Sequence, residues 1–175
     1  MTKDILTPEL LRKLLAYDPD TGALTWLFRS NAAFNARWAG TPAFTASTCR
    51  GYRRGRILHN HYYAHRVIWA MTHGAWPENV IDHINGVTDD NRIANLRAVT
   101  VQENQRNISM PINNTSGHMG VYWHKSVQKW QAQINVDNKH IHLGSFADKQ
   151  DAVSARKAAE LEYNFHINHG RQTAS

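Results

Sequence analysis

Hydrophobic spacing switches between a helical and a two-residue period along the chain, and the switches mark its elements. Leu10, Leu11, Leu14 and Leu15 recur at helical spacing behind Thr7-Pro8-Glu9, where threonine suits the cap and proline the first helical position. Asp18-Pro19-Asp20-Thr21-Gly22 is turn chemistry, and Ala23 to Phe28 predicts a short strand. Residues 30 to 60 show no period and read as irregular. A helix is predicted over Tyr63 to His73, closed by Gly74 and not extendable through Pro77. Val80-Ile81-Asp82-His83 is an apolar approach to two ionisable residues, and Asn85-Gly86 is a strong turn dipeptide. A loop through Asp89, Asp90 and Asn91 follows, and Leu96 to Val99 resumes as a strand. Thr100-Val101-Gln102-Glu103 is a capping box, which predicts a helix carrying Asn104 one turn in.

The texture changes after a polar linker at 108 to 116. Gly120 to His124, Lys129 to Val136 and Lys139 to Phe146 predict three strands, and Asp148 caps a helix through about Tyr163 with Ala152, Ala155 and Ala159 on one stripe. Period two sets Val121, Trp123, Trp130, Ala132, Ile134 and Leu143 toward that helix, with both tryptophans expected in the core. The opposite face carries Tyr122, His124, Gln131, Gln133, Asn135, His140 and His142, a row nearly free of acid and suited to base edges and phosphates. The predicted class is α+β. Its parts are an N-terminal helix plus irregular β region (1–62), a core (63–107), the linker (108–116), a sheet-plus-helix domain (117–166) and a tail (167–175).

Composition narrows the partner. With 42% hydrophobic and 19% charged residues the chain reads as globular, and 20 basic against 14 acidic residues give +6, which favours an anionic partner. The basic cluster Arg50, Arg53, Arg54 and Arg56 is either a phosphate contact or a solvated loop. The single cysteine, Cys49, excludes an intramolecular disulfide and a cysteine-rich zinc cluster. The N-terminus lacks a signal peptide's apolar core, and no run approaches the ~20 residues of a membrane span. A soluble, cytoplasmic protein without membrane partners is the expectation. No nucleophile elbow or phosphate-binding glycine loop is present in the sequence.

The stretch DHINGVTDDNRIANLRAVTVQEN, Asp82 to Asn104, with AHRVIWAMTHGAWP upstream, closely resembles the HNH family of nucleases. LLAYDPDTGALTW resembles phage-type members more weakly. The resemblance implies a ββα-metal (His-Me finger) core, a β-hairpin packed on one helix and gripping one divalent ion. Carried over position by position, it makes His83 the general base, Asn95 the residue that orients it, and Asp82 and Asn104 the metal ligands; Asn91 and Asn107 rank below Asn104 as ligands. The residue types suit phosphodiester hydrolysis. A neutral imidazole with a pKa near ~6.5 can take a proton from water at cellular pH. The family's third letter is here Asn104 rather than histidine, so both ligands offer oxygen, which suits Mg2+ or Mn2+.

The segment SGHMGVYWHKSVQKWQAQINVDNKHIHLGSF and the alanine-rich helix after it resemble the plant ethylene-response-factor (APETALA-two type) DNA-binding domain. That resemblance implies a three-stranded sheet laid in the major groove, with contacts from Tyr122, His124, Gln133, Asn135, His140 and His142. Where plant members place arginines this chain has Gln, Asn and His, so specificity does not carry over. Together the two resemblances imply a metal-dependent endonuclease of phage, homing or mobile-element type. It would cut or nick double-stranded DNA as a monomer, in the host cytoplasm if phage-encoded. Two other readings stand beside it: a non-catalytic sequence-specific regulator on a degenerate nuclease scaffold, and a general host-DNA-degrading nuclease.

Overall fold

The structure, a computed structural model, describes residues 6–107, 110–111, 113–166 and 169–170 and falls into two units, one ending at Val99 and the other beginning at Thr100. The expected linker and tail therefore lie partly outside the described residues.

In the first unit, helix α1 (Pro8–Leu14) starts where Thr7 Oγ1 accepts the Leu10 N–H at 3.2 Å, and it buries Leu11 and Leu14. β1 (Leu15–Tyr17) and β2 (Leu24–Trp26) pair antiparallel around the turn at 18–22, and β3 (Pro42–Ala43) adds to β2. Residues 30–60, expected to be irregular, are built of elements. Asn31 Oδ1 caps α2 (Ala32–Trp38), accepting the Phe34 N–H at 2.8 Å. β4 (Ala46–Ser47), β5 (Arg53–Ile57) and β6 (Asn60–Tyr63) form an antiparallel sheet in that order. The reason is side-chain packing that leaves no period in the sequence. The Arg29 guanidinium lies 3.3 Å from the centroid of the Phe34 ring, and Trp26 meets Phe34 edge-on at 5.6 Å, contacts no local period encodes.

β6 runs into α3 (Ala64–His73), which ends at Gly74 in the left-handed region (φ 74°). β7 (Val80–His83) and β8 (Leu96–Val99) follow as a two-stranded antiparallel sheet, with a short 3-10 turn (Ile93–Asn95) leading into β8. Leu11 and Leu15 are fully buried with Val67 and Ile68 of α3, and Ile81 and Leu96 join the same core. Each such side chain contributes ~1.5–3 kcal/mol on burial. The core runs straight across residue 62, so the N-terminal region and the β7–β8 hairpin fold as one unit.

The second unit opens with α4 (Val101–Gln105), whose capping box is formed: Thr100 Oγ1 accepts the Glu103 N–H at 3.2 Å and Glu103 Oε2 accepts the Thr100 N–H at 2.8 Å. β9 (Val121–His124), β10 (Lys129–Val136) and β11 (Lys139–Phe146) form one antiparallel sheet, order β11-β10-β9, and α5 (Lys149–Glu162) packs chiefly on β10 and β11. Asp137 and Asn138 turn the β10–β11 hairpin at positive φ (50° and 62°), as such a two-residue turn requires. Val121, Ala132, Ala152 and Val153 are buried between sheet and helix, with Trp130, Leu143 and Phe146 against them. Trp123 departs from expectation: it is 44% exposed and meets Trp130 edge-on at 5.5 Å. β9 is an edge strand, beyond the main cover of α5. Among the described residues no helix is long and apolar enough to cross a membrane.

Candidate active site

β7 places two ionisable side chains on opposite faces of one strand. Asp82 stands across from Arg97 of β8, and His83 across from Leu96. Both are buried, His83 at 3% exposure and Asp82 at 8%. A buried carboxylate needs a counter-charge. Arg97 provides one, its Nε and Nη2 donating to Asp82 Oδ2 at 3.0 and 2.8 Å.

The loop from β7 to β8 is held by its own amides and acids. Asn95 Oδ1 accepts the Asn85 N–H at 3.0 Å, and Asn95 Nδ2 donates to Asn85 Oδ1 and to the Asp90 carbonyl at 3.0 and 2.8 Å. The Asn95 carbonyl takes the Ile84 N–H at 2.9 Å, fixing the backbone just past His83. Asp90 binds Arg92 through both oxygens and accepts from Asn85 Nδ2 at 2.7 Å, and these bonds, Arg92's first, hold its carboxyl down to about 2.

Asn91 reaches the histidine itself. Its Nδ2 donates to the Asp89 carbonyl at 3.2 Å, which turns Oδ1 toward His83 Nε2 at 3.1 Å. Oδ1 accepts, so the neutral ring carries its proton on Nε2 and keeps its lone pair on Nδ1. Burial pushes the His83 pKa below the usual histidine value, against the opposing pull of the Asn91 bond and of Asp82, Asp90 and Asp89. The ring is thus neutral near pH 7 and can accept a proton. Beside it stands an aromatic cluster: His65, on the first turn of α3, meets His83 edge-on at 5.2 Å, and Tyr52 lies 5.8 Å from His83. His65 is itself buried, its Nδ1 has no hydrogen-bond partner, and burial followed by repulsion from His83 lowers its pKa to about 3.

Residues 62–106 match the model of the HNH endonuclease family. Over 82 residues, 46% of this chain and 68% of its relative, the sequence is 33% identical to Protein 3.8 of Escherichia phage T7. The chain belongs to the phage-type HNH endonuclease family. No solved structure matches it. The family match ends at Arg106 and so does not reach the β9–α5 sheet and helix.

Within the HNH segment the structure brings Asp82, His83 and Asn95 together on the β7–β8 hairpin and its loop. It gives Asn95 the backbone of the loop to hold, while the hydrogen bond to the His83 ring comes from Asn91. Asn104 lies on α4, in the second unit. A divalent ion is implied by the family. Among the described residues no three His, Cys, Asp or Glu gather as a metal cage. A hard oxygen donor such as the Asp82 carboxylate fits an ion that keeps several waters and takes the rest of its shell from phosphate. Arg97, His65 and Tyr52 escaped the sequence reading. Arg97 was recoverable only from the hairpin register, and nothing local marks His65 or Tyr52.

In the second unit the residues expected to touch DNA share one face of the sheet. Gln133 stands opposite His142 and Asn135 opposite His140, with a bulge between Ala132 and Gln133. Tyr122 stands opposite Gln131, to which its hydroxyl donates at 2.8 Å. His124 closes β9 at the end of the same parity.

Proposed function

We propose that the protein is a metal-dependent endonuclease of homing or mobile-element type that hydrolyses phosphodiester bonds in duplex DNA, with His83 as general base. The observation that carries this reading is the His83 ring: buried, held below the usual histidine pKa by that burial, and bonded through Nε2 to Asn91 Oδ1. In the reaction, water oxygen bonds to phosphorus and its proton passes to His83 Nδ1. The bond from phosphorus to the departing sugar oxygen breaks, and that oxygen is protonated as it leaves. Asn91 holds the ring in one tautomer, and Asn95 holds the backbone that carries it. Asp82 would hold the metal, with Asn104 as second ligand on the strength of the resemblance. Mg2+ or Mn2+ bound there supplies counter-charge to the phosphate and to the leaving oxygen. Arg97 shares the Asp82 carboxylate and holds it oriented.

The ethylene-response-factor-like sheet is proposed to read the target. Its support is the shared face of Tyr122, His124, Gln133, Asn135, His140 and His142, which offers donors and acceptors without acid. One specific observation favours a second reading, a non-catalytic DNA-binding regulator: the Asp82 carboxylate already has a cationic partner in Arg97.

Supercoiled plasmid separates the two. The wild-type protein is expected to cut or nick with Mg2+ and not with chelator, and His83→Ala to lose on the order of 10²–10⁴-fold in rate. A wild-type protein that leaves plasmid intact with Mg2+ and Mn2+ overturns the enzyme reading and leaves the regulator.

A further inference from the structure

Between Asp20 and Glu78 the sequence holds seven arginines, no lysine and no acidic residue. That stretch is +7, while the rest of the chain, with 13 basic and 14 acidic residues, is −1. The entire positive excess therefore lies upstream of β7, outside the sheet proposed to read bases.

The fold gathers part of this charge on one surface. In the β5–β6 pair, Arg54 stands opposite Tyr63 and Arg56 opposite His61, so these four side chains share a face. All four are exposed. The other face turns inward: Ile57 is 4% exposed, and a Cβ built at Gly55 would sit 2.7 Å from the Phe44 ring. Arg53, on that inner side, pairs with Asp89 at 3.4 Å. Arg54 and Arg56 have no acidic partner among the described residues.

This face leads into the candidate active site. The Tyr63 ring stacks on His65 at 5.5 Å and 22°, and His65 meets His83 at 5.2 Å. Tyr52 bridges the same rings, 6.0 Å from Tyr63 and 5.8 Å from His83. Guanidinium groups offer paired donors that match phosphate oxygens, and an uncompensated arginine face beside the hydrolytic histidine complements a polyanion running past it.

We propose that the outer face of β5–β6 binds the phosphate backbone of duplex DNA through Arg54 and Arg56 and leads it past Tyr63 to His83. The delivery to His83 rests on the nuclease reading; the binding does not. Base discrimination and backbone affinity are then carried by different units of the chain.

The test uses the full chain with His83→Ala, in chelator, so that nothing is cut. Binding of a fluorescent duplex is measured by anisotropy over a salt series, with and without R54A/R56A. The double variant is expected to bind at least about 10-fold more weakly, with a log K against log[salt] slope shallower by about two, since each phosphate contact contributes about 0.9. Both residues are exposed, so the melting temperature should not move, and a circular-dichroism melt checks this. An unchanged slope and affinity in a folded variant overturns the proposal, as does equal loss of binding to a polyglutamate competitor, which would mark a protein-docking surface. In the cutting-competent chain, R54A/R56A should raise KM about 10-fold or more with kcat nearly unchanged. Plasmid cut normally by R54A/R56A sinks this surface alone. Plasmid left intact by the wild type, with the slope change still present, sinks the nuclease reading and keeps the DNA-binding face.

Discussion

His65 and His83 stand ring to ring in a buried pocket, and a proton on either is costly there. The effect should be visible in stability. His65 titrates at about 3 in the fold, chiefly because it is buried, whereas an unfolded histidine titrates near ~6.5. The unfolded chain therefore binds this proton first as pH falls. The stabilisation is complete above about pH 6.5 and is lost as pH drops toward 3, with a slope of up to about 1.4 kcal/mol per pH unit. His83, shifted the same way, adds to the same window, while Asp90, held down to about 2, contributes to the loss only below about pH 4. Urea midpoints should fall between about pH 7 and about pH 5, and His65→Phe should flatten that fall. A variant with the wild-type pH slope would place the titrating proton elsewhere. Neither His65 nor Tyr52 could be picked out beforehand, because their nearness to His83 comes from packing across the chain and not from spacing along it.

The first hairpin braces the loop between β7 and β8. Tyr17 Oη, on β1, donates to the Asn91 carbonyl at 3.2 Å and accepts the Ile93 N–H at 2.8 Å. In the β1–β2 turn Gly22 has φ 75°, and a Cβ there would come within 2.6 Å of the Arg92 nitrogen. Asn91 in turn holds His83 Nε2, so the brace reaches the base through one residue. Tyr17→Phe should cost about 1 kcal/mol of stability, the net value of such a bond. In plasmid nicking it should lower kcat several-fold with little change in KM, since it disturbs the proposed base and not the face proposed to bind DNA. Equal kcat in the variant would show that the loop keeps its shape without the tyrosine. The sequence offered the turn and the strand on either side of it; that the turn packs on residues 91 and 92 was hidden by a separation of some seventy positions.

At the scale of the molecule, affinity and specificity are expected to separate. Removing residues 117–175 takes away the polar sheet face but leaves the arginine-rich stretch, the hairpin and α4. Metal-dependent cutting should persist while discrete fragments give way to a smear, read by mapping the ends. The same cut sites at the same salt would deny the sheet its reading role. Local chemistry determined the parts that are local. Thr7, Gly74, Asp148 and the Thr100–Glu103 box set helix ends, and period two set the faces of β10 and β11, because caps and alternation act within a few residues. The family motif likewise marked Asp82, His83 and Asn95, since its spacing is that of one hairpin. Tertiary structure decided the rest. Residues 30–60 became helix and sheet through contacts that follow no period: Arg29 and Trp26 on Phe34, and Trp26 on the buried Phe44. Pairing across strands put Arg97 on Asp82 and the arginines of β5 beside Tyr63, and the fold of the loop after β7 turned Asn91 back onto His83.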